Sequence, residues 1–337
     1  MIAKALGVVL AAAAFLAVGW AQQSTPITLD VVVTSKHGGA AVAGLTAQDF
    51  TVLDNGKPQT ITSFNALGGS TAPVEVILVI DAVDTSYSAI AFEREQIDAF
   101  LRANGGRLQY PILMAVFNDR GTEVQNGFTK DGNAAAKLLD NYTVALRTIT
   151  RSTGFYGAGE RLDLAMKTMH QLAEYSATLP GRKLLIWMSP GWPLLSGPAV
   201  GLSKKQQDGI FSEVIGLSND MRRAQVTVYS IDPLGMVDAG SVNTFYYRNF
   251  INGIKIPRDT QLGDLGLQVL ATQTGGQVLN SSNDLARQLT RVLADTGAYY
   301  HLTIEPTPGE PDEYHKLELK VSKPSVVART RTGYYSR

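Results

Sequence analysis

The pattern of apolar and polar positions changes twice along the chain. Residues 27–34 alternate in the manner of a strand, and Asp54-Asn55-Gly56 separates two short apolar stretches as in a β-hairpin. From Pro73 onward, buried apolar runs alternate with amphipathic stretches, and strand-like stretches return after residue 298. The order predicts an all-β start, an α/β middle and an all-β end.

The clearest strand is the apolar run 74–80, which lacks helical periodicity and ends at Asp81. Further buried strands are predicted at 112–117, 183–188 and 226–231, with amphipathic helices between them. Such alternation indicates an α/β fold with a doubly wound, mostly parallel sheet and helices on both faces. Ligands of these sheets bind outside the carboxyl ends of the strands, so function is expected at the edge that carries Asp81.

Two- or three-stranded β segments are marginal on their own, so the two β segments are expected to combine. The economical arrangement is one sandwich-like β domain formed by both chain ends, with the α/β domain inserted between them. The predicted division is a signal peptide at 1–21, the N-terminal part of the β domain at 22–70, the α/β domain at 71–297 and the C-terminal part of the β domain at 298–337.

The first residues are typical of a secretory signal peptide. Lys4 precedes an apolar run at 5–18, and small residues stand at Gly19 and Ala21, which predicts cleavage near Ala21. The alternative is a permanent membrane anchor, but the run is shorter than the ~20 apolar residues of a spanning helix. The pattern therefore predicts a secreted or periplasmic protein with no stable membrane span after cleavage.

Charge and cysteine content narrow the partner classes. The chain has 30 basic and 30 acidic residues and no basic run, so nucleic acid is not expected as a partner. The absence of cysteine excludes disulfides and thiolate metal sites.

No catalytic constellation emerges from the sequence, which predicts a protein that is not an enzyme. Ser189 lacks a Gly-x-Ser-x-Gly motif because Trp187 stands where the first glycine would be. The histidines have no metal-ligand spacing, and Glu93 with Asp98 is interpreted as a carboxylate pair on a solvated helix face. An envelope hydrolase that acts through Ser189 is the alternative.

Several motifs occur together in one order. They are LTAQDFTVLDNGKPQTITSF at 45–64, VILVIDAVDT at 76–85, RKLLIWMSPGWP at 182–193, VYSID at 228–232, TGAYYHLTIEP at 296–306 and RTRTGYYSR at 329–337. The set resembles the VWFA-related (von Willebrand factor A-like) family described from acidobacteria, over about Thr28 to Tyr335. The resemblance implies an A-type α/β domain with a flanking β region.

In the metal-binding members of the superfamily, the resemblance implies a divalent cation held by Asp-x-Ser-x-Ser, a Thr and a later Asp. Counted from Asp81, the two Ser positions hold Val83 and Thr85, and Val83 cannot be a ligand. The later Asp is replaced by Ser189, and Thr153 is the candidate for the Thr. The metal site is therefore expected to be degenerate, with no cofactor.

A literal Asp-x-Ser-x-Ser lies three residues further on, at Asp84, Ser86 and Ser88. Binding of Mg²⁺ or Ca²⁺ through Asp81 or Asp84 with these serines is the alternative to a degenerate site. Asp81, Ser86 and Ser88 are also suited to cap the helix that follows.

The candidate ligand-binding residues are those that the strand ends bring to one edge of the sheet. They are Asp81, Asp84, Thr85, Ser86, Ser88, Thr153, Ser189 and Trp192. Trp192 is interpreted as a loop anchor for a partner or, alternatively, as packing over the helix ends. The long connection 236–261, rich in aromatic residues, is interpreted as partner-binding or as packed against the β domain. Together these features predict a secreted or periplasmic, non-catalytic protein-interaction module with a protein partner.

Overall fold

The structure is a computed structural model that describes residues 25–68, 72–85, 87–141, 155–192, 201–235 and 243–336. The predicted signal peptide and two candidate site residues, Ser86 and Thr153, lie outside this part of the chain.

The strands follow the predicted order of β, α/β and β segments. They are β1 (Ile27–Ser35), β2 (Phe50–Asp54), β3 (Lys57–Gln59), β4 (Ile61–Leu67), β5 (Val74–Asp81), β6 (Arg107–Asn118), β7 (Gly121–Val124), β8 (Thr129–Asp131), β9 (Arg182–Met188), β10 (Val226–Ile231), β11 (Val278–Leu279), β12 (Tyr299–Ile304), β13 (Tyr314–Val321), β14 (Val326–Arg329) and β15 (Gly333–Tyr335).

Helices separate the strands of the middle segment. They are α1 (Tyr87–Arg102), α2 (Gly132–Asn141), α3 (Phe155–Ala177), α4 (Lys204–Arg223), α5 (Asn243–Tyr246), α6 (Leu267–Gln273) and α7 (Leu285–Leu293). Short 3₁₀ turns join some of them. None of the helices in the described ranges is long and apolar enough to cross a membrane.

The central sheet has seven strands in the order β11-β10-β9-β5-β6-β7, with β8 also pairing with β6. The β5–β6, β5–β9, β9–β10 and β10–β11 pairs are parallel, and β7 and β8 run antiparallel to β6. Along the chain, β6 follows β5 and lies on one side of it, whereas the next parallel strand, β9, lies on the other side. The direction of winding therefore reverses at β5, which makes the β5–β9 boundary the switch point of the sheet.

Both faces of the sheet are covered by helices, and β5 shows this most clearly. Val76, Leu78 and Ile80 pack in one core cluster with residues of α1, α2 and α7. Ile77 and Val79 point the other way and pack with residues of α3, α4 and α6. Because side chains alternate along a strand, a strand buried on both faces reads as a continuous apolar run.

Two four-stranded antiparallel sheets, ordered β14-β1-β12-β4 and β15-β13-β2-β3, combine strands from before and after the central sheet. They share a third hydrophobic core, which includes Leu29, Val52, Leu302 and Leu317. β12 lies between β1 and β4, so neither of those two strands is paired with the other.

The prediction of a mixed α/β fold with a mostly parallel sheet and additional β sheets is confirmed. Insertion of one domain into the other, and the boundaries at 22–70, 71–297 and 298–337, stay predictions. The sequence analysis missed β8, because three residues carry no recognisable periodicity.

Candidate functional site

The carboxyl ends of β5, β9 and β10 lie side by side at one edge of the central sheet. Asp81 closes β5, Ser189 follows β9 and Asp232 follows β10. The Ser189 backbone N–H donates to the Ile231 carbonyl at 2.9 Å, which holds two of these ends together. We call residues 81–85, 189–192 and 232–235 the sheet rim; it contains the switch point between β5 and β9.

Asp81 is fully buried, and both of its carboxylate oxygens accept hydrogen bonds from the protein. Oδ1 accepts the backbone N–H groups of Val83 at 2.8 Å and Asp84 at 2.9 Å, and Oδ2 accepts the Trp187 indole N–H at 2.9 Å. The Ser189 side chain also hydrogen-bonds to this carboxylate. Burial raises the pKa of Asp81 more than these donors lower it. Asp81 therefore fixes the turn after β5 and joins β5 to β9.

Asp84 and Thr85 follow in the same turn. The Asp84 Oδ1 atom accepts a hydrogen bond from Arg161 Nε at 2.8 Å. Burial, then the neighbouring Asp81 charge, raises the pKa of Asp84 to about 7 in spite of Arg161. Asp84 Oδ2 and the buried Thr85 hydroxyl have no hydrogen-bond partner among the described residues. The turn thus holds two oxygens that remain available for another group.

Glu93, on α1, is buried rather than solvated, so the sequence-based prediction for this residue is wrong. It has no exposed surface, and neither carboxylate oxygen has a hydrogen-bond partner in the described part of the chain. Burial, followed by the charges of Asp81 and Asp232, raises the pKa of Glu93 well above its usual range. Asp98 differs, since it is partly exposed and pairs with Arg102 at 2.9 Å. The surroundings of Glu93 therefore favour the protonated form of this acid.

The sequence contains a signal for this burial. Ile90 lies three residues before Glu93 and Ile97 four residues after it, which places Glu93 within the apolar stripe of α1. Glutamate is rarely buried, so its residue type argues against the burial that its position in the stripe indicates.

The carboxylate and hydroxyl oxygens of the described residues do not fit the cation site that the family resemblance implies. Both oxygens of Asp81 are engaged by N–H donors, and Val83 occupies a position that needs a hydroxyl ligand. Within the described ranges, no group of three His, Cys, Asp or Glu side chains could hold a metal ion. Ser88 lies in the first turn of α1, but its side chain is outside the described part of the chain, as are Ser86 and Thr153.

Trp192 is buried. This position agrees with the interpretation of Trp192 as a packing residue and not with that of a loop anchor for a partner. Its ring lies edge-on to Trp187 with the centroids 5.0 Å apart, and its indole nitrogen has no partner among the described residues. Gly191 makes this inward turn possible: its φ is +118°, and a Cβ there would collide with Gln268. The indole belongs to the core between the sheet and its helices.

The connection after β10 leaves the rim and contains the most exposed aromatic side chain of the described chain. We call its described part, residues 243–261, the aromatic segment. Phe245 is 43% exposed, and the Arg248 guanidinium lies over its ring, 4.4 Å from the centroid. Ile256 and Arg258 are also exposed. This part of the segment faces solvent.

The middle of the aromatic segment is packed. Phe250 is buried, and the Tyr335 hydroxyl bridges the backbone of Ile254, accepting its N–H at 3.3 Å and donating to its carbonyl at 3.1 Å. Tyr335 lies on β15, so the segment is tied to an antiparallel sheet. The two interpretations of this connection therefore apply to different parts of it.

Comparisons with known proteins give only distant structural similarity. Neither a protein-family model nor a curated protein sequence matches the chain. The pilus adhesin SpaC from Lactobacillus rhamnosus GG is similar at a TM-score of 0.36 and 9% identity, covering 88% of this chain and 49% of its own. The PilB minor pilin from Streptococcus sanguinis has a TM-score of 0.37 at 11% identity, with 65% of this chain and 62% of PilB covered. The SpRpn10 VWA domain has a TM-score of 0.28 at 12% identity, with 48% and 75% covered.

This chain thus spans about half the length of SpaC. With TM-scores this low, the function has to be argued from the chain's own residues.

Proposed function

We propose that this protein is a secreted or periplasmic, non-catalytic protein-interaction module, in which a VWFA-like α/β domain is set between the two halves of a β domain. The observation that carries the proposal is the exposed Phe245–Arg248 pair on the connection that leaves the sheet rim. Aromatic and arginine side chains are enriched in protein interfaces, and a few anchor residues there dominate the binding energy. The rim is also the edge at which open α/β sheets bind ligands.

The charge near this pair suggests the kind of partner. Lys255 and Arg258 are exposed on the same segment, and Gln207 of α4 donates to the Arg258 carbonyl at 3.0 Å, next to exposed Lys204 and Lys205. Asp259 is the one exposed acid within the aromatic segment. A protein surface that offers carboxylates around an apolar pocket is complementary to this arrangement.

The position of Ser189 supports a non-catalytic role. Its side chain is fully buried, accepts the Gly191 N–H at 3.1 Å and bonds to Asp81. A serine nucleophile needs access to substrate and an adjacent base that takes its proton. Ser189 instead holds the turn after β9, so the envelope-hydrolase alternative gains no support from its surroundings.

A cross-linked pull-down from envelope extract with the mature chain tests the proposal. We expect Phe245→Ala and Arg248→Glu each to lower capture of the specific partner by about tenfold, because each removes an interface anchor. Tyr175→Ala is the matched control, since Tyr175 is a similarly exposed aromatic residue, 37%, on α3. Capture should persist with chelator present. Equal capture by all three variants would contradict the proposal.

Metal-dependent adhesion is a second candidate, favoured by the unpaired Asp84 Oδ2 and Thr85 hydroxyl oxygens. Calorimetric titration with Mg²⁺, Ca²⁺ and Mn²⁺ separates the two. Heat of binding that is lost in Asp84→Asn, together with loss of partner capture in chelator, would replace the first function with this one.

A further inference from the structure

The edges of the described sheets differ in how well they are protected against pairing with a further strand. An edge strand presents backbone N–H and C=O groups to solvent, and proteins limit further pairing with short edges, charged residues, proline or bulges. The edge strands β3, β7, β8, β11, β14 and β15 have two to four residues each. β3 also contains Lys57 and Pro58, and β7 contains Glu123. These edges are therefore poor templates for another strand.

The exception is β4, at the edge of the sheet β14-β1-β12-β4. It has seven residues, with the sequence ITSFNAL, and contains neither a charged residue nor proline. Among the described strands, only β12 pairs with it. Ser63 and Asn65 on one face and Ala66 on the other are exposed, so solvent reaches the strand from both faces. β4 is therefore the long, unprotected edge of the described sheets.

The inner side of β4 is held firmly. The Phe64 ring stacks on Tyr300 with the centroids 5.8 Å apart, and it lies 5.9 Å from the Phe50 ring. The register with β12 is regular from Ser63 to Leu67 and shifts only before Ser63, towards the start of the strand. A bulge disturbs pairing locally, so the segment suited to a further strand is 63–67, with Asn65 at its centre. A strand fixed in this way loses little conformational freedom when it pairs.

We propose that two copies of this chain pair antiparallel along β4, with Asn65 of each copy at the two-fold axis. The pairing joins two four-stranded sheets into one continuous sheet of eight strands. Across the axis the two Asn65 residues face each other, Phe64 of one copy faces Ala66 of the other, and Ser63 faces Leu67. Backbone hydrogen bonds between the two strands supply the affinity.

The uncharged sequence favours a second copy over a different protein as the occupant. When identical strands pair about a two-fold axis, a charge near the axis lies close to its own copy, and like charges opposite each other are destabilising. β4 contains no such charge, and it also lacks a charge with which to select a strand of opposite sign. The Asn65 side-chain amide both donates and accepts, so two of them can hydrogen-bond across the axis.

This surface is separate from the aromatic segment, and the pairing does not depend on the proposed function. The two surfaces also differ in chemistry, since the aromatic segment carries Lys255 and Arg258 whereas β4 carries no charge. Pairing along β4 should therefore change little with salt concentration.

Sedimentation velocity of the mature chain over a range of concentrations tests the proposal. We expect a reversible dimer with a dissociation constant in the micromolar range, because an interface of two short strands is small. Asn65→Lys should weaken the dimer by about tenfold or more, since it places two like charges at the axis. Val327→Lys is the matched control, because Val327 is exposed on β14 at the opposite edge of the same sheet. This variant should dimerise as the natural protein does.

Hydrogen exchange of the natural protein gives a second readout that does not depend on any variant folding. Amides of 63–67 should exchange more slowly at high than at low protein concentration, while those of β14 should not change. A chain that stays monomeric at every concentration would overturn the proposal, even if a strand of another protein is found to add to β4. A dimer that Asn65→Lys leaves intact, or one without protection at 63–67, would overturn it as well. If Asn65→Lys does not fold, the hydrogen exchange decides.

Discussion

At the scale of single residues, the main feature of the rim and of the helix beneath it is that carboxyl groups are buried away from water. Asp81 is compensated by several N–H donors, whereas Glu93 has no hydrogen-bond partner among the described residues. A buried acid that lacks such donors, as Glu93 does, avoids the cost of a buried charge by keeping its proton. Because the pKa of Glu93 is raised in the folded state, the free energy of unfolding depends on pH.

Glu93→Gln tests this point. The unfolded chain loses the Glu93 proton near its ordinary pKa of 4.5, whereas the folded chain retains it to higher pH. The free energy of unfolding therefore falls as pH rises from about 4.5 to the folded-state pKa, by up to about 1.4 kcal/mol per pH unit. Glutamine does not titrate, so we expect the variant to gain stability relative to the natural protein between pH 5 and 8, as measured by urea unfolding.

Glu95→Gln is the matched control on the same helix, because Glu95 is exposed. Asp81 and Asp84 continue to titrate in both variants, so the pH dependence should be reduced in Glu93→Gln and not abolished. Identical pH profiles for the two variants would show that Glu93 is not the buried acid described.

The sequence predicted where Asp81 lies but not what it does. The apolar run before it marks the end of a buried strand, and that is a local signal. The bond to Trp187 depends on β9 lying next to β5, and the order of strands cannot be derived from local periodicity. Trp192 was ambiguous for the same reason, since its burial requires the particular turn at Gly191.

At the scale of elements, β5 and β9 are joined by more than backbone pairing. Val79 is opposite Trp187 in the register, and the Trp187 indole reaches the Asp81 carboxylate at the end of β5. Trp187 and Trp192 are both buried and pack edge-on, but Trp192 has no hydrogen-bond partner among the described residues. The two tryptophans therefore form a natural matched pair.

Trp187→Phe and Trp192→Phe remove the same group of atoms from neighbouring buried sites. Only the first removes a hydrogen bond to a carboxylate, which contributes about 1.5–3 kcal/mol. We expect Trp187→Phe to lower the free energy of unfolding by about that much more than Trp192→Phe, measured by denaturant titration followed by circular dichroism. Equal losses would mean that the Asp81–Trp187 bond does not stabilise the strand pair.

The buried strands β9 and β10 were predicted closely from the sequence, whereas the longest strand, β6, begins five residues before its predicted start and the connections were not predicted. β10 has the predicted bounds, and β9 differs by one residue, because continuous apolar runs between turn residues define them. The connection after β10 has no periodicity, so its division into an exposed Phe245 and a packed Phe250 required the structure. Packing of the segment depends on residues far away in the sequence, since Tyr335 of β15 hydrogen-bonds to the backbone of Ile254.

At the scale of the whole molecule, a buried carboxylate connects the central sheet with an antiparallel sheet. Asp295 Oδ2 accepts hydrogen bonds from the Tyr229 hydroxyl at 2.8 Å, Gln277 Nε2 at 3.2 Å and Arg329 at 2.6 Å. Tyr229 belongs to β10, and Arg329 belongs to β14. The Asp295 charge raises the pKa of Arg329 against the effect of burial, as expected for a paired cation.

Asp295→Asn leaves Arg329 without its counter-charge while it preserves the shape of the side chain. Breaking a buried ion pair from one side costs about 3–5 kcal/mol, so we expect a loss of that order in the free energy of unfolding. Trp187 and Trp192 are the only tryptophans after the predicted cleavage site, so fluorescence follows the central sheet while far-UV circular dichroism follows the whole fold. If Asp295 couples the two sheets, the transitions seen by these probes should coincide in the natural protein and separate in the variant.

Asp98→Asn is the control for this experiment, because it breaks the partly exposed pair with Arg102 on a single helix. Exposed pairs contribute about 1 kcal/mol or less, and this one does not connect two sheets. Coincident transitions in Asp295→Asn, with a loss no larger than that of Asp98→Asn, would show that the sheets are coupled through their apolar contacts. In that case the buried carboxylate would only satisfy the polar groups around it.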